Sequence, residues 1–336
     1  MMPEKSPRLS IGLPVYNGEK FLPDALDSLL NQTFTDFELI ISDNASTDNT
    51  EAICLAYAAQ DQRIRYYRNQ ENIGCARNFN LVFELSNTEY FKWAAHDDLH
   101  DPDFIRKCIE ILDKDPSFIL CSSQVSFIDE QGEFLQHYNV HIKADSPKKY
   151  ERCHELLVKH LCYPIYGVIR SDALRKVPPM GSFGNADGIF LLRLGLVGKF
   201  YEIPEYLFFA RTHPEQSMSM FFPGFLSVTD KNTQYSEGVF PDFYAYTVWW
   251  DSSKKGKILF PHWRMFWEYV ISIYRVQMNL HEYLRCAISL YLKLKGNEPL
   301  LIKDLLKASQ KIWQSWHYIP LKTDESNAEL AASVQD

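Results

Sequence analysis

Three polar clusters in the first hundred residues stand at the ends of short apolar runs. Tyr16-Asn17 follows Leu9–Val15, Asp43-Asn44 closes the run that begins at Phe37, and Asp97-Asp98 follows Tyr90–Ala94. Asp97-Asp98 is the most informative of them. Adjacent carboxylates repel each other unless a cation lies between them. Carboxylate oxygens combined with phosphate oxygens and water suit Mg²⁺ or Mn²⁺. At Asn44 an amide supplies both donor and acceptor groups, enough to read the edge of a base. Asp187 precedes the apolar run Ile189–Val197, and His213 follows Arg211-Thr212 after another apolar run. A neutral imidazole is a reasonable ligand for Mn²⁺. Each residue also has a plainer reading: a solvated turn at Asp97-Asp98, an Asx-turn at Asp43-Asn44, a helix N-cap at Asp187, a packed imidazole at His213.

The elements that position these residues follow from periodicity. Apolar runs predict strands over 9–15, 37–41, 64–67, 90–94 and 119–128. Between them, helical spacing predicts helices over 21–30, from Asp48 to about Gln60, over 77–85 and from Pro102 to about Asp113. Asp48 and Glu51 fit a capping box, and Pro102 suits a first helical turn. Strands alternating with helices imply βαβ units and a mostly parallel sheet. Ligands of such sheets sit beyond the carboxyl ends of the strands, where the three polar clusters fall. Farther on, a helix over 151–161 and two strands, 200–203 and 207–210, are expected, followed by a loop over 212–241. Helical stretches over 243–252, 263–279, 281–295 and 299–313 come next, and a disordered tail over 322–336.

Composition bounds the class. The chain has 336 residues, enough for a large core, with 46% hydrophobic and 23% charged residues. Its net charge of −8 argues against a general nucleic-acid binder. No apolar run reaches the ~18 residues of a membrane span. The segment Met1 to Arg8 has no apolar stretch of a signal peptide. Seven scattered cysteines without a C-x-x-C pair read as reduced packing residues of a cytoplasmic protein. Other chemistries lack their motifs. No G-x-G-x-x-G follows the first strand, Arg193 stands where a P-loop ending at Lys199 needs glycine, and Val158 replaces the second His of H-E-x-x-H.

In order along the chain come Pro14-Val15-Tyr16-Asn17, Ser42-Asp43-Asn44-Ala45-Ser46-Thr47-Asp48, Glu71-Asn72-Ile73-Gly74 with Arg77-Asn78, and His96-Asp97-Asp98. This series resembles the family 2 glycosyltransferases, inverting enzymes with the GT-A fold. The resemblance covers about residues 8–130 well and 150–220 more loosely. It implies an α/β GT-A nucleotide-sugar-binding domain over 1–225, a mainly helical extension over 226–321 and the tail. It also implies transfer of a sugar from a nucleotide diphosphate sugar to a saccharide or lipid-linked saccharide hydroxyl, in polysaccharide biosynthesis, with Mn²⁺ or Mg²⁺ as cofactor. Asp98 and His213 would hold the metal and Asp97 the ribose. Pro14, Tyr16, Asn17, Asp43, Asn44 and Arg77 would bind the nucleotide, Tyr16 beside the base and Arg77 near the diphosphate. Asp187 would be the general base. Two departures stand out: Ala95 where many relatives carry a further Asp, and Asn44 in place of a second acid.

The C-terminal third lies outside the resemblance. Its aromatic residues, among them Trp249, Trp250, Trp263 and Trp267, mix with Lys254, Lys255, Lys257, Arg264 and Arg275. That mixture suits either peripheral contact with the inner face of an anionic membrane or a helical cap whose rings fill the core or a homodimer interface. Two other functions compete. A sugar nucleotidyltransferase would need a Gly-rich basic loop where Tyr16-Asn17-Gly18-Glu19 stands, and a degenerate binding module would be expected to lose Asp98 or Asp187.

Overall fold

The structure, a computed structural model, describes residues 6–158, 162–216, 220, 243–257 and 259–317. Its first half alternates as expected: β1 (Leu9–Val15), α1 (Leu22–Leu30), β2 (Phe37–Asp43), α2 (Thr50–Gln60), β3 (Ile64–Arg68), α3 (Cys75–Glu84) and β4 (Tyr90–Trp93). There follow β5 (Leu99–His100), α4 (Phe104–Lys114), β6 (Phe118–Ile128), β7 (Phe134–His137) and α5 (Lys149–Val158). A 3-10 turn at Tyr163–Tyr166, then β8 (Val168–Arg170), α6 (Ser171–Leu174), α7 (Ala186–Val197) and β9 (Lys199–Arg211) complete the sheet region. The helices α8 (Phe243–Trp250), α9 (Pro261–Tyr274), α10 (Leu280–Leu294) and α11 (Glu298–His317) form the C-terminal extension.

All strands belong to one sheet in the order β3-β2-β1-β4-β8-β6-β9-β5, with β7 on β6. The first four run parallel, and β8 enters antiparallel between β4 and β6. Every residue of β1 is buried, the signature of a strand covered by helices on both faces. Leu9, Ile11, Leu13, Phe91 and Trp93 sit at the centre of one continuous core that extends to Met265, Tyr269 and Ile273 of α9.

Four local expectations need correction. Asp48 and Glu51 do not form a capping box. Asn49 is the N-cap, Asp48 accepts from the backbone of Thr50 and of Glu19, and Glu51 turns away to Arg68. Partners from β3 and from the loop after β1 outcompete the local arrangement. The two strands expected over 200–203 and 207–210 are one strand, β9. Pro204 lacks an N–H, so the chain keeps its course but slips against β6, where Ser123 pairs Ile203 and Gln124 pairs Tyr206. Pro102 lies before the cap Asp103 rather than in the first turn of α4. The helix expected over 263–279 ends at Tyr274, because Asn279 and Glu282 make a reciprocal capping box that starts α10. The expected boundary at 225, most of the loop over 212–241 and the tail fall outside the described residues.

Candidate active site

Parallel pairing of β1 with β2 and with β4 brings their carboxyl ends side by side. Just beyond them Asn17 and Ala45 adopt left-handed backbone conformations, φ 51° and 60°, which non-glycine residues adopt at a cost of about 1 kcal/mol or more. The two turns hold each other in that shape. Asn17 N–H donates to Ser46 Oγ at 2.9 Å, Thr47 N–H donates to Asn17 Oδ1 at 2.9 Å, and Gly18 N–H donates to Thr50 Oγ1 at 2.8 Å. Gly18 lies so close to the next cluster that a Cβ there would stand 2.8 Å from the His96 ring. The turns after β1, β2 and β4 therefore form one surface. Pro14 is buried in the strand, while Tyr16 is 45% exposed and leaves a ring face open to a ligand.

Asp43 and Asn44 are buried and largely committed to this scaffold. The Asp43 carboxylate accepts from Ser46 N–H and from the Tyr66 hydroxyl, both at 2.8 Å, and from Arg68 at 3.3 Å. Asn44 Oδ1 accepts from Ile73 N–H at 2.9 Å and its Nδ2 donates to Asn72 Oδ1 at 2.9 Å. Asn44 thus fixes the loop that opens α3. Arg77, on the first turn of α3, is exposed and makes no ion pair among the described residues.

Asp97 and Asp98 face different environments. His213 Nε2 lies 3.0 Å from Asp97 Oδ2. Burial would raise the Asp97 carboxyl, but His96 and His213 more than offset that and hold it below the usual range. Asp98 is buried, and its Oδ1 accepts from Arg211 N–H at 3.0 Å. Burial, followed by the charge of Asp97, pushes Asp98 well above the usual carboxylate range. His213 is packed at 4.7 Å on Phe21, and its Nδ1 is buried without a hydrogen-bond partner. Carboxylate and imidazole are donor types that a divalent ion takes, although no three His, Cys, Asp or Glu side chains among the described residues are grouped to hold one. Asp98 carries charge that a cation would relieve, His213 keeps an unpartnered nitrogen, and the remaining positions would fall to phosphate oxygens and water. Arg211 is a buried clamp, donating to the carbonyls of Asp97 and Glu130 and pairing with Asp24 of α1.

Asp187 lies in the first turn of α7, behind Asn185, whose φ of 57° is a third left-handed outlier. Its Oδ1 accepts from Gly188 N–H at 2.8 Å. Tyr166 links it to the acidic pair. Burial raises the Tyr166 phenol well above its ordinary value, and the charges of Asp98, Asp97 and Asp187 raise it further. One hydroxyl lies within the field of all three carboxylates.

Several residues of this region carry no sequence motif. Tyr166 stands in a 3-10 turn. Lys92 sits fully buried in β4, with its ammonium donating to Tyr166 O at 2.5 Å and Trp93 O at 3.1 Å. Burial lowers it to about 7. Lys293 of α10 is similarly buried and lowered to about 7, with Cys162 and Asp187 opposing the shift. A lysine inside an apolar strand, Phe91-Lys92-Trp93, was the one available signal.

The family model described as "Glycosyl transferase family 2" matches residues 10–177. A Rickettsia felis protein described as an uncharacterized glycosyltransferase is 36% identical over 143 residues, 42% of this chain and 22% of that protein. The chondroitin synthase of Escherichia coli is 32% identical over 137 residues, 40% of this chain and 20% of that protein. The chain thus spans about a fifth of the length of these relatives. In fold it is similar to S. aureus TarS 1-349 in complex with UDP-GlcNAc, with a TM-score of 0.59 at 16% identity, covering 90% of this chain and 81% of that one. It is also similar to the mannosyltransferase PcManGT of Pyrobaculum calidifontis in complex with GDP-Man and Mn²⁺. There the TM-score is 0.51 at 15% identity, covering 98% of this chain and 81% of that one. With the matched segment spanning the three strand ends and the sheet arranged as in GT-A enzymes, the chain belongs to glycosyltransferase family 2.

Proposed function

We propose that this protein transfers a glycosyl group from a nucleoside diphosphate sugar to a hydroxyl of a saccharide or lipid-linked saccharide, with inversion at the anomeric carbon. One observation supports this reading most: Asp97, Asp98 and Asp187 all bear on the Tyr166 hydroxyl. On this reading the acidic pair and the candidate base share one space. Tyr16 offers its exposed ring to the base, and Asn17, Asp43 and Asn44 hold the turns that frame it. Asp97 accepts from the ribose and Arg77 faces the diphosphate. Asp98 and His213 would hold Mn²⁺ or Mg²⁺. The ion, when bound, offsets the negative charge of the leaving diphosphate.

Asp187 takes the proton of the acceptor hydroxyl as that oxygen attacks the anomeric carbon opposite the phosphate. Asp187 stands in the first turn of α7, where the positive end of the helix dipole favours a negative group. A carboxylate base suits a hydroxyl that loses its proton late, as the sugar–phosphate bond breaks.

Calorimetry with UDP, dTDP and GDP, each with and without Mn²⁺, tests the donor site on wild type and Asp98→Ala. Metal-dependent binding of one nucleotide, lost in the variant, is the expected result. No binding of any nucleotide would sink the reading. Product analysis separates the chemistry: nucleoside diphosphate marks transfer, pyrophosphate a nucleotidyltransferase, and neither a binding module.

A further inference from the structure

The three long helices of the extension bury one side against the core and leave an apolar side in water. In α10, Leu280, Leu284, Ile288 and Tyr291 recur at helical spacing and are 75%, 57%, 56% and 63% exposed. The buried positions of the same helix, Cys286, Ser289 and Leu290, lie on its other side, against α5 and α9. In α11, Ile302, Leu305 and Leu306 are likewise more than half exposed. A globular protein normally turns such stripes inward. Clustered exposure of this kind marks an interaction surface rather than the scattered single residues of an ordinary one.

Charge identifies what fits against it. Residues 251–313 hold 11 Lys and Arg against 5 Asp and Glu, whereas the rest of the chain holds 24 against 38. Two of those five acids, Glu268 and Asp304, are buried, as is one of the eleven cations, Lys293. Glu268 is buried against Arg193, Asp304 accepts from His262 through both N–H and Nδ1, and Glu282 closes the cap of α10. Arg275, Arg285 and Lys295 remain exposed beside the apolar stripe. A face that is apolar at its centre and cationic among its side chains complements a surface of acyl chains and anionic headgroups.

We infer that the outward face of α10 and α11 docks on an anionic bilayer surface, its Leu, Ile and Tyr side chains entering the headgroup boundary. A second copy of the chain fits less well, because a two-fold contact would press two net-positive faces together. No helix among the described residues is long and apolar enough to cross a membrane, so the contact is interfacial. The acidic remainder of the protein is repelled by the same headgroups, which orients the molecule on the surface. The inference does not depend on the donor chemistry, since docking is read without nucleotide.

The test is sedimentation of the full chain with phosphatidylcholine vesicles and with phosphatidylcholine–phosphatidylglycerol vesicles, at low and high salt. It is run on wild type and on the double variant Leu284→Glu, Ile288→Glu. Both positions are exposed, and an unchanged thermal melt verifies that the variant is folded. Wild type is expected to sediment with the anionic vesicles alone, less at high salt, and the variant to bind about tenfold more weakly or worse. Absence of binding to anionic vesicles at low salt overturns the proposal. So does undiminished binding of the folded variant, which would place the contact elsewhere. Light scattering that shows a dimer dissociated by the same substitutions assigns the face to a second copy and also overturns it. Should the variant fail to fold, Arg285→Glu with Lys295→Glu serves instead, with the same outcomes.

Discussion

His213 Nε2 stands 3.0 Å from Asp97 Oδ2, so the imidazole that follows β9 reaches back to the acidic pair that follows β4. The contact ties the last strand of the core to the ribose side of the proposed donor site. It also orients the His213 ring and leaves Nδ1 as its unpartnered nitrogen. Replacing a residue that orients a metal or ligand group in this way typically costs ten- to a hundredfold. His213→Ala is therefore expected to weaken metal-dependent nucleotide binding by about that factor. Titration calorimetry against wild type checks it, and unchanged affinity would remove His213 from the site.

Asp98 predicts opposite effects on stability and on ligand response. Its folded carboxyl is raised by burial and by Asp97. The unfolded chain therefore releases this proton at lower pH than the folded protein, and stability falls as pH rises from the ordinary carboxylate value through the raised one. Above the ordinary carboxylate range, burial of this group is a net cost to the folded state. Asp98→Asn should stabilise the metal-free protein by on the order of 1 kcal/mol, while abolishing the extra stability that nucleotide and Mn²⁺ confer on wild type. Melting curves of both proteins, with and without ligands, decide the matter. A destabilised metal-free variant would contradict the electrostatic account.

Asp187→Asn should lower turnover by about a hundredfold or more while leaving nucleotide affinity within a few-fold of wild type. The amide preserves the volume and the acceptor oxygen for Gly188 N–H, but it cannot take a proton. Single-turnover transfer assays paired with nucleotide calorimetry separate the two effects. Full activity in the variant would mean that another group is the base.

How much of this was legible in the sequence depends on the range of the interactions. The strand ends were legible because β1, β2 and β4 are mainly apolar and give way to the polar clusters Tyr16-Asn17, Asp43-Asn44 and Asp97-Asp98. The parallel βαβ pairing was legible too, but the order β3-β2-β1-β4, in which β4 returns beside β1, was not. Insertion of β8 between β4 and β6 was not legible, since three residues, Val168–Arg170, give no periodicity. Asp43 illustrates the limit at the site. Its place at a strand end was readable, yet its engagement by Tyr66 and Arg68 depends on the register of β3. Tyr166 and Lys293 were invisible for the same reason: their relation to Asp187 arises only when the 3-10 turn packs against α7 and α10 packs against α5, which itself lies on α7.

Lys92 gives a pH-dependent prediction of the opposite kind from Asp98. Burial lowers its folded value from the ordinary lysine range to about 7. Between pH 7 and about 10 the unfolded chain binds a proton that the folded protein does not, so this group makes stability rise with pH across that window. Lys92→Met has no amine to titrate. The stability of wild type relative to the variant should grow by on the order of 3 kcal/mol between pH 7 and pH 9.5. Urea denaturation of both proteins at the two pH values measures it. A difference independent of pH would show that the amine keeps its ordinary affinity for a proton.

The buried pair Arg193–Glu268 predicts how the extension is joined to the catalytic core. Arg193 lies on α7, two turns beyond Asp187, and its Nη2 is 2.5 Å from Glu268 of α9. Its Nε donates to Ser272 of the same helix at 2.9 Å. Both side chains are nearly excluded from water. Deleting one partner of such a pair strands the other charge in the interior, at a cost of about 3–5 kcal/mol. Glu268→Ala should therefore destabilise by roughly 3 kcal/mol, and Glu268→Gln by less, because the amide oxygen still accepts from Arg193. Because the helix that loses its partner also carries Asp187, the Ala variant should reduce turnover more than donor affinity. Scanning calorimetry provides the structural check. If the extension were an independent module, wild type would melt in two steps and the substitution would move only one of them. A shared core through Met265, Tyr269 and Ile273 predicts instead one transition that the substitution shifts as a whole.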